Sequence, residues 1–208
     1  EIGRDLTNFF HYLTGYSPEQ TYDRLLVAPQ DMRDSFRRLI RREIEHAEAE
    51  TGGRIIAKMN ELGDRRLIST LYEAAQAGVE IDLIVRGICR LRPNLEGLSE
   101  SIRVVSIVGR FLEHDRVFWF ENGGDTDVYI SSADWQRSRL DDRVEAAVPV
   151  RDPTHQKRLR RALQYAMEDS RTAWELRSDG RYVQRTPDAD GGRGLQEALM
   201  DEARGRVD

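Results

Sequence analysis

The stretch Leu112-Glu-His114-Asp-Arg116-Val-Phe-Trp-Phe-Glu121 sets an imidazole two residues from a guanidinium. On a strand, residues two apart share a face, so His114 and Arg116 are expected to point together into one pocket. Such a pair suits a phosphate. Histidine, with an unperturbed pKa of about 6.5, attacks phosphorus when neutral and protonates a leaving oxygen when charged. Arginine adds a permanently charged planar fork matched to phosphate oxygens. A second guanidinium, Arg86, ends the strand-like run Ile81-Asp-Leu-Ile-Val-Arg86, and ligands bind outside the carboxyl ends of parallel strands. Downstream, Tyr129-Ile-Ser131-Ser132-Ala-Asp134-Trp135 offers hydroxyls and a carboxylate. Glu121, Ser132 and Asp134 are supporting candidates; their plain structural readings are a hairpin carboxylate, a local backbone hydrogen-bonder and a loop cap. His11, His46 and His155 fall in helical contexts without a second ligand at metal spacing, and no residues are assigned to a metal.

The elements that must position these groups follow from apolar periodicity. Leu6, Phe9, Phe10 and Leu13 recur at helical spacing before Tyr16, Ser17 and Pro18 close the segment, so residues 1–18 are expected to be a linker helix from an upstream domain. Met32, Phe36, Leu39, Ile40 and Ile44 predict an amphipathic helix from Pro29 to about Glu50. Residues 54–59 and 81–86 read as parallel strands joined by a helix that Asp64 caps and Gly78 ends. Ile102 to Val108 is a third strand. Residues 115–121 and 127–132 form a hairpin around Asn122-Gly123-Gly124-Asp125, 143–150 is a further strand, and Asp152-Pro153 opens a helix to about Glu168. A small hairpin is expected over 173–185, turning at Ser178-Asp179-Gly180. Residues 186–208 are expected to be a flexible tail, with a marginal helix at 195–206. Trp119, Trp135, Phe118 and Phe120 are assigned to packing. The fold class is α/β.

Composition narrows the function classes. A hydrophobic fraction of 39% with 33% charged residues describes a solvated globular protein, and no run approaches the roughly 20 apolar residues of a membrane helix. The net charge of −5 argues against general attraction to nucleic acid while leaving room for a local cationic pocket. Cys89 is the only cysteine and forms no internal disulfide, which fits a cytoplasmic location, with peripheral attachment to a membrane left open. The chain opens at Glu1 without a methionine or a signal-peptide pattern, and is expected to be a piece of something longer.

The order His114, Arg116, Glu121, Ser131-Ser132, Asp134 resembles the phospholipase D signature of His-x-Lys, Asp and Gly-Ser-x-Asn. The identities drift, and the second gap is longer by three residues. A larger set of segments resembles the carboxy-terminal part of class 1 polyphosphate kinases. These are Phe9 to Gly15, Ile84-Val-Arg86-Gly-Ile, Leu98-Ser-Glu, Ser106-Ile-Val108, Leu112-Glu-His114, Phe120-Glu-Asn-Gly-Gly-Asp125 and Ser131-Ser-Ala-Asp-Trp135. The likeness runs over residues 1–185, and several motifs in the same order are more specific than any one.

The resemblance implies a phospholipase D-like mixed sheet flanked by helices over residues 19–185. It also implies an enzyme that transfers the γ-phosphate of ATP reversibly to polyphosphate, leaving ADP, with magnesium and through a phosphohistidine of the preceding domain. His114 matches the family's second active-site histidine and Arg86 its phosphate-contacting arginine; Arg116 is added as a further phosphate ligand. The chain alone is then expected to be inactive, its partners being the upstream domains of the same polypeptide and other copies of it. Two other functions remain: a homodimeric phosphodiesterase that apposes two copies of His114, and a polyanion-binding module without activity.

Overall fold

The computed structural model describes residues 1–16, 20–187 and 191–205. The elements are α1 (Ile2–Leu13), β1 (Leu26–Ala28), α2 (Met32–Glu48), β2 (Arg54–Met59), α3 (Arg65–Gln76), β3 (Glu80–Val85) and β4 (Ile102–Ile107). They are followed by β5 (Val117–Phe120), β6 (Asp127–Ser131), α4 (Arg137–Asp141), β7 (Glu145–Pro149), α5 (Pro153–Glu168), β8 (Ala173–Leu176), β9 (Tyr182–Gln184) and α6 (Leu195–Ala203). The strands form one sheet in the order β1-β7-β6-β5-β2-β3-β4-β8-β9. β2, β3 and β4 are parallel, and the remaining pairings are antiparallel. This is the expected mixed sheet flanked by helices.

Side-chain alternation divides the core between the two faces of that sheet. On β2, Ile55, Ala57 and Met59 join one cluster with Phe36 and Ile40 of α2 and Leu67 and Leu71 of α3. Ile56 points the other way, into a cluster with Trp119 and with Leu163 and Ala166 of α5. Both faces are therefore buried, which is why the central strands read as continuous apolar runs. Asp64 caps α3 by accepting from the Leu67 amide at 3.0 Å, and Asp152 caps α5 by accepting from the Thr154 amide at 2.8 Å. The four aromatics assigned to packing are all buried, and Phe118 stacks on Trp135 with centroids 4.8 Å apart.

Several expectations are corrected. Sequence periodicity missed β1 and α4, because three and five residues are too few to show a period. The strand expected from residue 115 begins at Val117, so His114 and Arg116 lie in the connection before it. The tail helix is not marginal: α6 buries Leu195 in the α5 cluster and Ala198 is buried as well, so tertiary packing rather than propensity holds so short a helix. The carboxylate of Asp5 in α1 accepts from the backbone amides of Asp23 at 3.0 Å and Leu25 at 2.9 Å, pinning the expected linker helix to the body. Ser17, Pro18, residues 188–190 and residue 206, to which closure, mobility and the helix end were assigned, lie outside the described residues.

The connection from β4 to β5 carries His114 and Arg116. These strands are three places apart in the sheet, so residues 108–116 must travel roughly 14 Å sideways across the carboxyl ends of β3 and β2. Phe36, fully buried between Phe118 at 4.7 Å and Trp135 at 5.3 Å, ties α2 to the strand that this connection enters. Phe36→Ala is expected to cost about 3–5 kcal/mol. A chemical-denaturation midpoint lowered with little change in slope would show it.

Candidate active half-site

Asn60 follows β2, Arg86 follows β3, residues 114–116 precede β5 and Asp134 follows β6. The strand directions bring all of them to the carboxyl edge. The Asp134 carboxylate is buried there, 1% exposed, and forms the hub of a hydrogen-bonded relay. Its Oδ1 accepts from the Asn60 amide at 2.7 Å, from Asn60 Nδ2 at 3.2 Å and from Arg116 Nε at 3.1 Å. Its Oδ2 accepts from Arg116 Nη2 at 3.0 Å. Arg116 in turn donates from Nη1 to the carbonyl of His114 at 2.9 Å and to its Nδ1 at 3.1 Å. At the other end, Asn60 Oδ1 accepts from Arg86 Nε at 3.0 Å. One relay therefore joins Arg86 to His114.

Its chemistry follows from what each group can do. Burial works against the charge on Asp134, but the Arg116 and Asn60 hydrogen bonds and the Arg116 charge outweigh it and hold the carboxyl below its usual value. Because arginine only donates, the Arg116 contact makes His114 Nδ1 an acceptor and assigns the proton of the neutral ring to Nε2. His114 is exposed and Nε2 has no partner among the described residues, so this N–H is free to meet a ligand. Arg86 is half-buried, and its two terminal nitrogens also lack a partner among the described residues. A cleft of about 320 Å³ opens between Arg86 and residues 107–113.

The candidates from sequence thus separate. His114, Arg86, Arg116 and Asp134 come together. Arg116, however, is only 9% exposed and each of its three nitrogens already donates within the protein, so it orients His114 instead of standing open. Ser132 fastens the ends of β6 and β7 by bonding Glu145 and accepting from the Ala146 amide at 3.2 Å. Glu121 lies at the opposite end of β5, roughly 20 Å along the chain from His114, because the intervening segment is extended. Sequence reasoning overlooked Asn60 and Lys58. Lys58 is buried within β2 and its ammonium pairs with both Glu113 and Asp115, the neighbours of His114. A lone lysine inside an apolar strand was the available signal.

A second cleft, of about 650 Å³, adjoins the same edge on the continuations of β2, β3 and β6. Arg33, Arg65, Arg66, Arg90 and Arg137 line it together with Asp64, Asp141 and Asp142. Arg33 is neutralised by Asp64 and Asp141, and Arg137 by Asp141. Arg65, Arg66 and Arg90 are exposed, without an ion-pair partner among the described residues.

The carboxyl edge of this α/β sheet thus gathers an oriented imidazole and open guanidinium groups. The family model described as "Polyphosphate kinase C-terminal domain 2" matches residues 25–194, and the chain belongs to that family. The polyphosphate kinase of Parasynechococcus marenigrum (strain WH8102) is 55% identical over 188 residues, 90% of this chain and 26% of that protein. That of Streptomyces coelicolor is 46% identical over 208 residues, 99% of this chain and 28% of that protein. The chain therefore spans about a quarter of the length of these relatives. The crystal structure of polyphosphate kinase from Porphyromonas gingivalis superposes with a TM-score of 0.92 at 39% identity, covering 97% of this chain and 31% of that one. NucT from Helicobacter pylori shares the fold alone, with a TM-score of 0.51 at 15% identity over 69% of this chain and 94% of that one.

Removing the hub carboxylate leaves Arg116 buried without its counter-charge, so Asp134→Ala is expected to cost about 3–5 kcal/mol at neutral pH. Since folding lowers the pKa of Asp134, the unfolded chain binds that proton more tightly. The stabilisation is then fully present above the ordinary aspartate value of about 4 and fades as pH falls below it. Denaturation midpoints of the native and substituted chains should lie far apart at pH 7 and converge toward pH 3.

Proposed function

We propose that this chain is one half of the catalytic site of an ATP:polyphosphate phosphotransferase, closed by the domain that precedes it in the full polypeptide. The observation that carries the reading is the relay that presents His114 Nε2–H and the free end of Arg86 at one edge. The γ-phosphoryl group leaves the β–γ bridging oxygen of ATP for an imidazole nitrogen of the preceding domain, and ADP departs. A terminal oxygen of polyphosphate then attacks the phosphorus, lengthening the chain and freeing that imidazole. His114 donates its Nε2 proton or hydrogen bond to the leaving bridging oxygen, and Arg86 neutralises charge on the transferring oxygens. A loose transition state asks mainly for position and positive charge, which suits so sparse a set of groups.

The rest of the surface supports an absent second half. Val108, Phe111 and Leu112 beside the cleft are 62%, 50% and 70% exposed, an apolar rim that a neighbouring domain would cover while excluding water. Leu6, Phe10 and Leu13 of α1 are likewise exposed, as for a helix arriving from such a domain. The Arg65, Arg66 and Arg90 cleft gives an extended polyanion a path away from His114. Magnesium is implied by the family. Here the carboxylates nearest His114 do not suit it, because Glu113 and Asp115 are paired with Lys58 and Asp134 with Arg116. Among the described residues no helix is long and apolar enough to cross a membrane.

With a separately made preceding domain, ATP and magnesium, His114→Ala should lower polyphosphate formation about 10²–10⁴-fold. Equal synthesis by both forms would refute the reading. Diester hydrolysis by the chain alone, lost in His114→Ala, would favour the phosphodiesterase. Replacing Arg65, Arg66 and Arg90 together with Gln should weaken polyphosphate binding and flatten its salt dependence, since exposed charges act through screened attraction. Isothermal titration at several salt concentrations would measure both.

A further inference from the structure

The connection that carries His114 has no regular structure from Val108 to Arg116. Nine residues extend up to about 30 Å, twice the lateral distance they must cross, so their path is not set by length. Tertiary contacts set it instead. Lys58 draws in the side chains of Glu113 and Asp115 from the α5 face, and Arg116 holds the His114 carbonyl. The third tie comes from the far end of the chain. Gln196, in the first turn of α6, donates from Nε2 to the Phe111 carbonyl at 2.9 Å and to Glu113 Oε1 at 2.6 Å, while its Oε1 accepts from the Phe111 amide at 3.0 Å.

We infer that Gln196 is a positioning residue for His114: its carboxamide latches the catalytic connection to the docked C-terminal helix. The inference rests on the reading of His114 as the proton-donating group. A carboxamide is suited to the task because it engages both the N–H and the C=O of Phe111, as a neighbouring strand would. A carboxylate could only accept, and it would face Glu113. Gly109 belongs to the same device, since a Cβ there would lie 2.6 Å from Gln196 Oε1 and push the amide away. The helix itself is anchored independently. The Leu195 amide donates to Asp169 Oδ2 at 2.7 Å, Leu195 is 1% exposed, and Asp169 is fully buried. Loss of the Gln196 amide therefore frees the connection without undocking α6. Gln196 lies just beyond residues 25–194 that the family model matches.

The test compares Gln196→Ala, Gln196→Glu and Gly109→Ala in the full polypeptide that joins this chain to its preceding domain. Each should lower kcat tenfold or more with the KM for ATP changed less than twofold. In a His114→Ala background Gln196→Glu should add no further loss, because the two residues act as one unit. An additive loss in that background, or an unchanged kcat, overturns the proposal. Amide exchange in the 208-residue chain reads the latch without reference to activity. The Phe111 amide should exchange at least tenfold faster in Gln196→Ala while amides of β2 are unaffected, and unaltered protection at Phe111 would equally sink it. If His114→Ala itself left the enzyme fully active, the function assigned to His114 would fail while the exchange result still judged the latch.

Discussion

The buried pair of Arg116 and Asp134 is the contact on which the functional edge depends. Two charges taken from water at a sheet end are costly unless the geometry satisfies both, and here it does. The guanidinium meets the carboxylate through two nitrogens, and Asn60 supplies two further donors to the same carboxylate. Because each partner comes from a different strand end, the pair joins β2, β5 and β6 at one point. The remaining nitrogen of Arg116 is thereby aimed at His114, so the interaction that closes the sheet edge also selects the imidazole tautomer.

This arrangement explains why one arginine stands open and another does not. Arg86 gives the relay only its Nε, leaving its outer nitrogens for a ligand, whereas Arg116 donates from all three. Residue type alone made them equivalent phosphate ligands; hydrogen bonding gives them different work. Lys58 acts similarly from beneath the sheet. It neutralises the two carboxylates on either side of His114, which would otherwise repel any anion approaching His114 and Arg86. An acidic chain thus keeps the carboxylates beside His114 paired with cations of its own.

The chain spans about a quarter of the length of its polyphosphate kinase relatives, and the reading proposed above makes its edge one half of a site. Among the described residues that edge holds one imidazole, His114, beside the open end of Arg86. Its apolar rim and the outer face of α1 remain exposed among the described residues. Catalysis by preorganised charge gains most where water is excluded, and a lone edge open to solvent cannot exclude it.

Much of this protein was legible in its linear order. Apolar alternation and capping residues specified the parallel strands, the flanking helices and the burial of the four aromatics, because those signals are local and repeat within a few residues. His114, Arg86 and Asp134 could be named from their types and positions relative to strand ends. What only the tertiary structure decided are relations between distant residues. Glu121 fell at the wrong end because a strand carries its two termini apart, and β1 was too short to show a period. The tail helix became firm through a hydrophobic cluster that α5 completes. Folding brings Lys58 and Gln196 beside a connection 55 to 85 residues away in sequence and Asn60 beside Asp134, 74 residues away, relations that no local pattern encodes.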